Sequence, residues 1–424
     1  MRMKIFLITN IDPSHPLKGG VERYVMSLGK WLRSRGIHVT LIGKGAEPEV
    51  RPDYFDEFVS VNPSGDIPNT QFVKMLSKHA RKIRIPSDAI LHAQRPDYLL
   101  PFLSRKNRKL CTLHGNPAEV IRSKKSMAVA ALYRLIERRV IPKCDALVFV
   151  DSQTLSAYKR RFPKHASKFL KIPIGYDPSL FFPEDKKEAR KKLRIPENRK
   201  VILFVGRFEP EKRIPKLIDV FLNLESRSAM LILIGSGRDE DLIRSIAGSR
   251  PSIKILPPQD SDALRLYYSA ADVLALLSSH EGRPTVILEA MACGCPVVAT
   301  PVGDIPEMVE HTKEGFVTDI PKAAHFIEMA LEIPGSFRPF VLEKASLFTN
   351  DIVFSKLLDL YRSLSSMNEG KNSKKKPSRK SAQSLRRPSA GKPEKPLKNE
   401  TPRATWQATQ QQTSQQQTRP RTTQ

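Results

Sequence analysis

Short apolar runs alternate with amphipathic segments from the N-terminus to about residue 330. A short continuous apolar run is typical of a buried strand, whereas apolar residues three and four apart are typical of a helix. Gly20–Arg35 has the helical pattern, and Ser152 is placed to cap the helix that follows the fifth run. The runs predict strands at Lys4–Thr9, His38–Gly43, Ala89–Ala93, Leu110–His114 and Ala146–Val150. Such repetition predicts a parallel sheet covered by helices on both faces.

A segment rich in turn residues, Ile172–Pro183, interrupts this periodicity, and the same pattern then begins again. The second series of strands is predicted at Val201–Val205, Met230–Ile234, Ile253–Leu256, Val273–Leu277, Val297–Thr300 and Gly315–Thr318. Two doubly wound α/β units therefore face each other across a cleft, with ligands at the carboxyl ends of the strands.

The predicted division of the chain has two Rossmann-like domains, over residues 1–172 and 184–335. A linker over residues 173–183 joins them, and C-terminal helices over residues 336–366 are expected to pack back on the first domain. Residues 367–424 contain almost no core-forming side chains, which indicates a disordered tail that is basic and then rich in Gln and Thr.

The net charge of +27 is unevenly distributed. Residues 1–175 carry 32 basic against 14 acidic side chains, whereas residues 176–367 carry 25 against 27. This asymmetry predicts an anionic partner for the first domain. The tail carries 14 basic residues against 3 acidic ones, so it either keeps the protein in solution or attaches it to anionic lipid or nucleic acid.

The four cysteines and the absence of an apolar run of about 18 residues set the expected compartment. So few cysteines favour a reducing environment, and the N-terminal apolar segment is too short for a signal peptide. We therefore expect a cytoplasmic protein, with peripheral attachment at the inner face of the cell membrane as a further option.

Two glutamates stand out near the predicted helix Thr285–Cys293: Glu281 lies in the loop before it, and Glu289 lies within it. Glu289 lies among apolar neighbours, where a charge is rarely placed without a partner, and a ribose diol is one such partner. If the intervening segment is helical, Glu281 and Glu289 are roughly 12 Å apart by rise alone. Carboxylate pairs that hydrolyse glycosides lie about 5 to 9.5 Å apart, so this spacing disfavours hydrolysis by these two groups.

Cations and glycines follow several predicted strands. Arg207 and Lys212 come after Val201–Val205, where a bidentate guanidinium and a point charge suit a diphosphate. Gly19-Gly20 opens the first helix and allows backbone N–H groups to approach an anion. Gly235 after the next strand either lines a nucleotide site or turns the chain. His114 ends the predicted strand Leu110–His114 at the carboxyl edge of the sheet, so we expect it to be a functional residue.

No metal site is predicted. Asp239-Glu240-Asp241 has the spacing of an Asp-x-Asp motif, but these acids occupy the first turn of a predicted helix, where they favour the helix dipole.

In these motifs the chain resembles the retaining glycosyltransferases of family four, which have the GT-B fold. The resemblance rests on Glu281, Glu289 and the segment Gly294–Val298, and it extends over roughly residues 3 to 365. It implies that Glu281 faces the transferred sugar, that Glu289 holds the ribose and that Arg207 and Lys212 bind the donor diphosphate. It also implies that Gly19-Gly20 closes over the donor phosphate, and that His114 approaches the donor sugar or the acceptor hydroxyl.

One departure is Arg283-Pro284, where many members have Phe-Gly. The expected reaction uses a nucleoside diphosphate sugar as donor substrate, with no other cofactor, and retains the anomeric configuration. The alternatives are a nucleotide-sugar epimerase or a glycosyl phosphorylase on the same fold, or a basic RNA- or membrane-binding scaffold. No RNA-recognition signature supports a nucleic-acid partner.

The acceptor, a sugar or a lipid-linked molecule, is expected on the first domain. Basic side chains recur on the predicted helix Gln71–Ile85 and on Val120–Lys143, where they lie beside apolar residues. The basic residues are Lys74, Lys78, Arg81, Lys82, Arg84, Arg122, Lys124, Lys125, Arg134, Arg138 and Arg139. The second segment resembles an interfacial helix on an anionic membrane surface, although ordinary solvated helix faces would have a similar pattern.

Overall fold

The computed structural model of the chain describes residues 2–14, 19–46, 53–63, 65, 67–124 and 127–373. The tail predicted over residues 367–424 therefore lies almost entirely outside the described part, as does Lys125. None of the described helices has the length and hydrophobicity needed to cross a bilayer.

The first domain contains a seven-stranded parallel sheet in the order β3-β2-β1-β4-β5-β6-β7. Its strands are β1 Lys4–Ile8, β2 His38–Gly43, β3 Glu57–Ser60, β4 Ile90–Ala93, β5 Arg108–Leu113, β6 Ala146–Phe149 and β7 Phe169–Lys171. Its α-helices are α1 Gly20–Ser34, α2 Asn69–His79, α3 Pro117–Lys124, α4 Met127–Val140 and α5 Ser152–Arg161. Short 3₁₀ helices occupy Pro96–Phe102, Ile141–Lys143 and Pro163–Lys168.

The second domain contains a six-stranded parallel sheet in the order β10-β9-β8-β11-β12-β13. Its strands are β8 Lys200–Val205, β9 Ala229–Ile234, β10 Ile253–Leu256, β11 Val273–Leu276, β12 Val297–Ala299 and β13 Gly315–Val317. Its first helices are α6 Lys186–Lys192, α7 Ile214–Leu222, α8 Glu240–Ala247, α9 Ser261–Ala270, α10 Thr285–Ala292 and α11 Ile305–Met308. The last helices are α12 Ala323–Glu332, α13 Pro334–Ser346 and α14 Asn350–Ser373, and 3₁₀ turns occupy Pro210–Lys212 and Ile320–Lys322.

The strand order confirms the predicted pair of doubly wound α/β units. In each sheet the order reverses at one point, between β1 and β4 in the first and between β8 and β11 in the second. Helices leave opposite faces of the sheet there, so a crevice opens at the carboxyl ends of the strands. All but two of the strands lie on the predicted apolar runs, and the exceptions are the edge strands β3 and β7.

Three local predictions are corrected by the structure. Asp151, not Ser152, caps α5, because its carboxylate accepts a hydrogen bond from the backbone N–H of Thr154 at 2.6 Å. The helix predicted over Gln71–Ile85 ends at His79, so Arg81, Lys82 and Arg84 follow it rather than lie on it. The segment Val120–Lys143 is divided between α3, α4 and a 3₁₀ turn, and so is not one helix.

The two C-terminal helices pack on different domains, although both were expected on the first. Phe337, Val341 and Ala345 of α13 belong to the core of the second domain. Only α14 returns to the first domain, where its apolar residues join the core beneath α1. The reason is that apolar side chains of α13 complete the cover over the second sheet before the chain crosses back.

The chain crosses between the domains twice, and the two crossings pair with each other. Tyr176 in the first crossing donates its N–H to the carbonyl of Phe348 at 3.0 Å and accepts from the N–H of Asn350 at 2.8 Å. A Cβ at Gly175 would approach the Phe348 carbonyl oxygen to 2.8 Å, so the absence of a side chain permits this contact. The two segments thus form one hydrogen-bonded junction between the domains.

Aromatic packing holds α14 on the first domain. Phe354 is 1% exposed, and its ring meets those of Tyr24 and Trp31 edge to face, with centroids 5.6 and 5.7 Å apart. The side chain of Trp31 also donates to Asp351 at 2.6 Å.

We expect Phe354→Ala to lower the free energy of unfolding of the first domain by about 3–5 kcal/mol, the usual effect of removing a buried phenyl ring. Chemical denaturation followed by tryptophan fluorescence measures it, since Trp31 is in contact with the ring. Phe340→Ala is the matched control, because Phe340 is 45% exposed on α13 and its loss should change stability by about 0.5 kcal/mol or less. Equal effects of the two variants would contradict this packing argument.

Candidate active site

The carboxyl edge of the second sheet is formed by the loops after β8, β9 and β11. The N–H of Gly206 donates to the Ile234 carbonyl at 3.0 Å, and the N–H of Ser279 donates to the Glu211 carbonyl at 2.7 Å. Gly235 has a φ of +155°, and a Cβ there would lie 1.9 Å from the Gly206 carbonyl oxygen. The predicted site residue Gly235 is thus required for the close approach of two loops at this edge.

Glu281 lies in the loop after β11 and is 7% exposed. Its Oε1 accepts hydrogen bonds from Lys212 Nζ at 2.6 Å and from Ser278 Oγ at 2.7 Å. The structure therefore brings together two of the predicted site residues, Lys212 and Glu281, as a largely buried ion pair. Arg207 differs from Lys212, because its side chain is 61% exposed and pairs with Glu211, at 3.5 Å.

Glu289, on α10, is 5% exposed and has two partners. The Tyr268 hydroxyl donates to its Oε2 at 2.9 Å, and Arg23 Nη1 of the first domain lies 3.9 Å from its Oε1. Neither partner was predicted. The sequence around Tyr268 predicts only a helix and gives no sign of a site. Arg23 follows Gly19-Gly20 within the first turn of α1, and this position could have identified it as a candidate.

Arg283, the departure noted in the sequence, is buried and contacts Asp304 and Phe348. Its Nη1 donates to Asp304 Oδ2 at 3.3 Å, and its guanidinium lies 4.6 Å from the centroid of the Phe348 ring. Burial lowers the pKa of Arg283, an effect that Asp304 partly offsets. The side chain thus connects the loop of Glu281 to the junction between the domains.

A second group of contacts joins the domains beside this loop. Asp304, at the start of α11, accepts a hydrogen bond from the Ser152 N–H at 2.8 Å and lies 3.2 Å from Lys171 Nζ. Lys171 also pairs with Glu307, and this pairing helps to hold the pKa of Glu307 below its usual range although burial opposes it. Both carboxylates belong to the second domain, and Ser152 and Lys171 belong to the first.

His114 lies directly after β5, at the carboxyl edge of the first sheet. Its Nε2 lies 2.9 Å from Gln94 Oε1, and Tyr24 packs against its ring with centroids 4.8 Å apart. Burial lowers the pKa of His114 to about 4. The imidazole is therefore neutral near pH 7, and it can accept or donate a hydrogen bond without carrying charge.

Gly19 and Gly20 lie at the start of α1, on the same edge. The Gly19 N–H donates to Glu22 Oε2 at 3.2 Å, so Glu22 closes the first turn of the helix. Among the described residues, a Cβ built at Gly19 or Gly20 would meet no atom within 4 Å. Within the described residues, no group of three His, Cys, Asp or Glu side chains is arranged to hold a metal ion.

Family comparisons match both domains. Residues 18–180 match the family model described as Glycosyltransferase Family 4, and residues 185–333 match the model described as Glycosyl transferases group 1. Together the two matches cover every strand of the two sheets except β1, and they include all of the predicted site residues.

Two relatives align over most of the chain. N-acetyl-alpha-D-glucosaminyl L-malate synthase of Bacillus anthracis is 26% identical over 75% of this chain and 85% of its own length. The GDP-mannose-dependent alpha-(1-6)-phosphatidylinositol monomannoside mannosyltransferase of Mycobacterium tuberculosis is also 26% identical, over 74% of this chain and 85% of its own.

Solved structures share the architecture. Sucrose-phosphate synthase of Thermosynechococcus elongatus superposes with a TM-score of 0.71 at 24% identity, covering 86% of this chain and all of that one. Anabaena Alr3699/HepE in complex with UDP-glucose gives a TM-score of 0.66 at 19% identity, covering 85% and 100%. These likenesses confirm the expected GT-B fold.

The burial of His114 makes stability depend on pH. Its pKa of about 4 lies below the roughly 6.5 of an unfolded histidine, so between these values the unfolded chain binds more protons. The contribution is complete above about pH 6.5, is lost as the pH falls towards 4, and changes by at most about 1.4 kcal/mol per pH unit. His92, whose pKa is lowered to about 3 by burial and by His114, adds to the same trend.

We therefore expect His114→Gln to show a shallower loss of stability than the unsubstituted protein between about pH 6.5 and pH 4. Urea denaturation at a series of pH values measures the slope. His325→Gln, at an exposed histidine, controls for the substitution itself. An unchanged slope in the His114 variant would show that its imidazole does not titrate as its burial requires.

Proposed function

Since the chain belongs to glycosyltransferase family four, we propose that it transfers a hexosyl group from a nucleoside diphosphate sugar to an acceptor hydroxyl with retention of the anomeric configuration. The observation that carries this proposal is the buried pair of Lys212 and Glu281, with Arg207 on the loop between β8 and Lys212. A cation and a carboxylate at one sheet edge can hold the diphosphate and the sugar of the same donor.

In the proposed complex, each of these side chains binds a different part of the donor. Glu289, with an oxygen facing the cleft beside Arg23, accepts the hydroxyl groups of the ribose. Lys212 and Arg207 neutralise the diphosphate, and the N-terminus of α1 at Gly19-Gly20 supplies partial positive charge from the other domain. Glu281 accepts hydrogen bonds from the hexose.

The reaction proceeds on one face of the sugar. The bond from the anomeric carbon to the phosphate oxygen breaks with its electron pair remaining on the phosphate, and the acceptor oxygen bonds to the same carbon from the same side. The acceptor proton passes to the departing phosphate. Arg207 and Lys212 stabilise the charge that develops there, and neutral His114 positions hydroxyl groups rather than storing the proton.

We propose further that the acceptor is lipid-linked and is reached from an anionic membrane surface. On α4, Met127, Leu132 and Leu135 are 78%, 61% and 56% exposed. Arg138 and Arg139 are exposed in its last turn. Exposed apolar side chains beside cations suit the boundary between headgroups and acyl chains, and the mycobacterial relative is named for a phosphatidylinositol-based acceptor.

The function is tested by supplying UDP-, GDP- and ADP-linked hexoses with a glycolipid extract as acceptor. Transfer should require both substrates, and the anomeric coupling constant of the product, read by NMR, should match that of the donor. Product formed from the donor without any acceptor would favour the epimerase alternative, and an inverted product would overturn retention.

We expect Arg207→Ala and Lys212→Met each to lower kcat about 10²- to 10³-fold, because each removes charge that stabilises the leaving phosphate. Steady-state transfer assays at saturating donor measure the change. Lys216→Ala is the control, since Lys216 lies on the next helix and is 63% exposed. Normal turnover in the double Arg207 and Lys212 variant, with its melting temperature preserved, would remove both residues from the mechanism.

We expect the double variant Leu132→Glu, Leu135→Glu to bind vesicles containing phosphatidylglycerol at least about tenfold more weakly, because burying one leucine contributes about 1.5–3 kcal/mol. Co-sedimentation at two salt concentrations measures the binding. Leu242→Glu on α8 is the control, as Leu242 is 52% exposed on the second domain. Binding that depends on neither anionic lipid nor salt would defeat the membrane proposal.

A further inference from the structure

A cavity of about 290 Å³ opens at the carboxyl edge of the first sheet. Its lining includes none of the residues of the second domain that are proposed to bind the donor. Its walls come from the segments after β1, β4 and β5 and from the first turn of α1. The start of α2 adds Asn69, and the other polar side chains in the walls include Asn10, Gln94, Arg95, His114 and Asn116. This volume is at the small end for a ligand site, near 300 Å³, so one ring-sized unit fills it.

Most of the polar groups in these walls are uncharged amides, hydroxyls or imidazole. Asn10 Oδ1, His114 Nδ1 and Asn116 Oδ1 are buried and have no hydrogen-bond partner within the described part of the chain. Buried polar atoms are usually paired, so three unpaired ones beside one cavity indicate a ligand that completes them. The orientation of the Asn10 amide is fixed, because its Nδ2 donates to the Ile67 carbonyl at 2.9 Å.

Gln94 determines which nitrogen of His114 carries the proton. Gln94 is 2% exposed, its Oε1 faces His114 Nε2 at 2.9 Å and its amide nitrogen lies 3.4 Å from His92 Nε2. With the amide oxygen towards His114, the proton is on Nε2 and the unpaired Nδ1 is an acceptor. All three unpaired atoms are therefore acceptors, and each requires a donor such as a hydroxyl group.

The charges around the cavity disfavour an anion. Arg95 is the only cation among the described residues that line it, and Asp97 neutralises it through two hydrogen bonds of 3.0 and 3.1 Å. The guanidinium also lies over Tyr98 and Tyr133, 5.6 and 5.4 Å from their ring centroids. Glu22 adds a carboxylate to the wall, so a phosphate or carboxylate would meet no uncompensated positive side chain.

We infer that this cavity binds the reacting end of the acceptor, and that this end is an uncharged polyhydroxylated ring, a cyclitol or a sugar. Asn10, Asn116 and His114 accept hydrogen bonds from its hydroxyl groups, and Gln94 is a positioning residue that keeps His114 in the accepting tautomer. The role of this ring as acceptor rests on the proposed glycosyl transfer. Binding of the ring itself can be measured without turnover.

The test is saturation-transfer NMR on the full chain with four probes: myo-inositol, methyl α-D-glucopyranoside and the monophosphate of each ring. The neutral rings should bind, and their phosphates should bind more weakly. Asn116→Leu and Asn10→Leu should each weaken binding of the neutral rings about tenfold, since each leaves ring hydroxyls unpaired. Asn223→Leu, at an exposed asparagine of the second domain, should change nothing.

The variant Gln94→Glu distinguishes a positioning role of Gln94 from a merely structural one, because only a positioning role changes the pKa of His114 together with ring binding. A carboxylate at this position should raise the pKa of His114 in an NMR titration, and the ring probes should then lose affinity as His114 becomes protonated. Gln94→Leu should weaken ring binding without raising the pKa.

Three results would overturn the inference: no signal from either neutral ring, tighter binding of the phosphates than of the neutral rings, or full ring binding in both asparagine variants. Binding of UDP and GDP is measured in parallel on the same samples, because it depends on the second domain. Loss of nucleotide binding with ring binding intact would count against the proposed donor site and in favour of the cavity. The opposite result would count against the cavity alone.

Discussion

The hydrogen bonds between Tyr176 and the segment Phe348–Asn350 join the two crossings of the chain between its domains. They form because α13 stays with the second core and α14 returns to the first, so the second crossing passes beside the first. Two chain segments that are hydrogen-bonded to each other at the junction restrict the directions in which the domains can move. The carboxyl edges of both sheets consequently face one cleft, and every proposed donor and acceptor contact depends on that arrangement.

Within the cleft, the residues proposed to bind the donor are paired with other charged groups of the protein. Lys212 is bonded to Glu281 within the second domain, and Arg23 reaches Glu289 from the first. A buried charge that loses its partner is costly, so a donor must replace each contact as it enters. A diphosphate can replace the carboxylate at Lys212, and sugar hydroxyls can replace the ammonium at Glu281. In the proposed donor complex, ribose at Glu289 would take the place of Arg23, which would couple donor binding to the position of α1.

The architecture could be predicted because strands buried on both faces leave continuous apolar runs. β1, β8 and β9 have such runs, and their predicted bounds differ from the structure by about one residue. The edge strands β3 and β7 could not be predicted, because they are short and partly exposed and their residues lack that pattern.

Local chemistry was predicted less well than the fold. The cap of α5 was assigned to Ser152 rather than to Asp151 because both residue types favour this position, and only the backbone geometry distinguishes them. His114, Arg207 and Gly235 do follow strands in the structure, since this depends on local sequence alone, and their roles stay predictions. Contacts between domains, such as that of Arg23 with Glu289, depend on how the two sheets are docked and leave no periodic signal.

Arg283 shows how such a long-range contact changes the meaning of a motif. In the sequence, Arg283 stands in the Glu281 loop where many members of the family have phenylalanine. In the structure its guanidinium donates to Asp304 and lies over Phe348, so it links the Glu281 loop to the start of α11 and to the junction between the domains. Its Nε and Nη2 are buried without partners among the described residues, a cost that the contacts at Asp304 and Phe348 must offset. Because Phe348 belongs to the junction, a change in the angle between the domains reaches the Glu281 loop directly through this side chain.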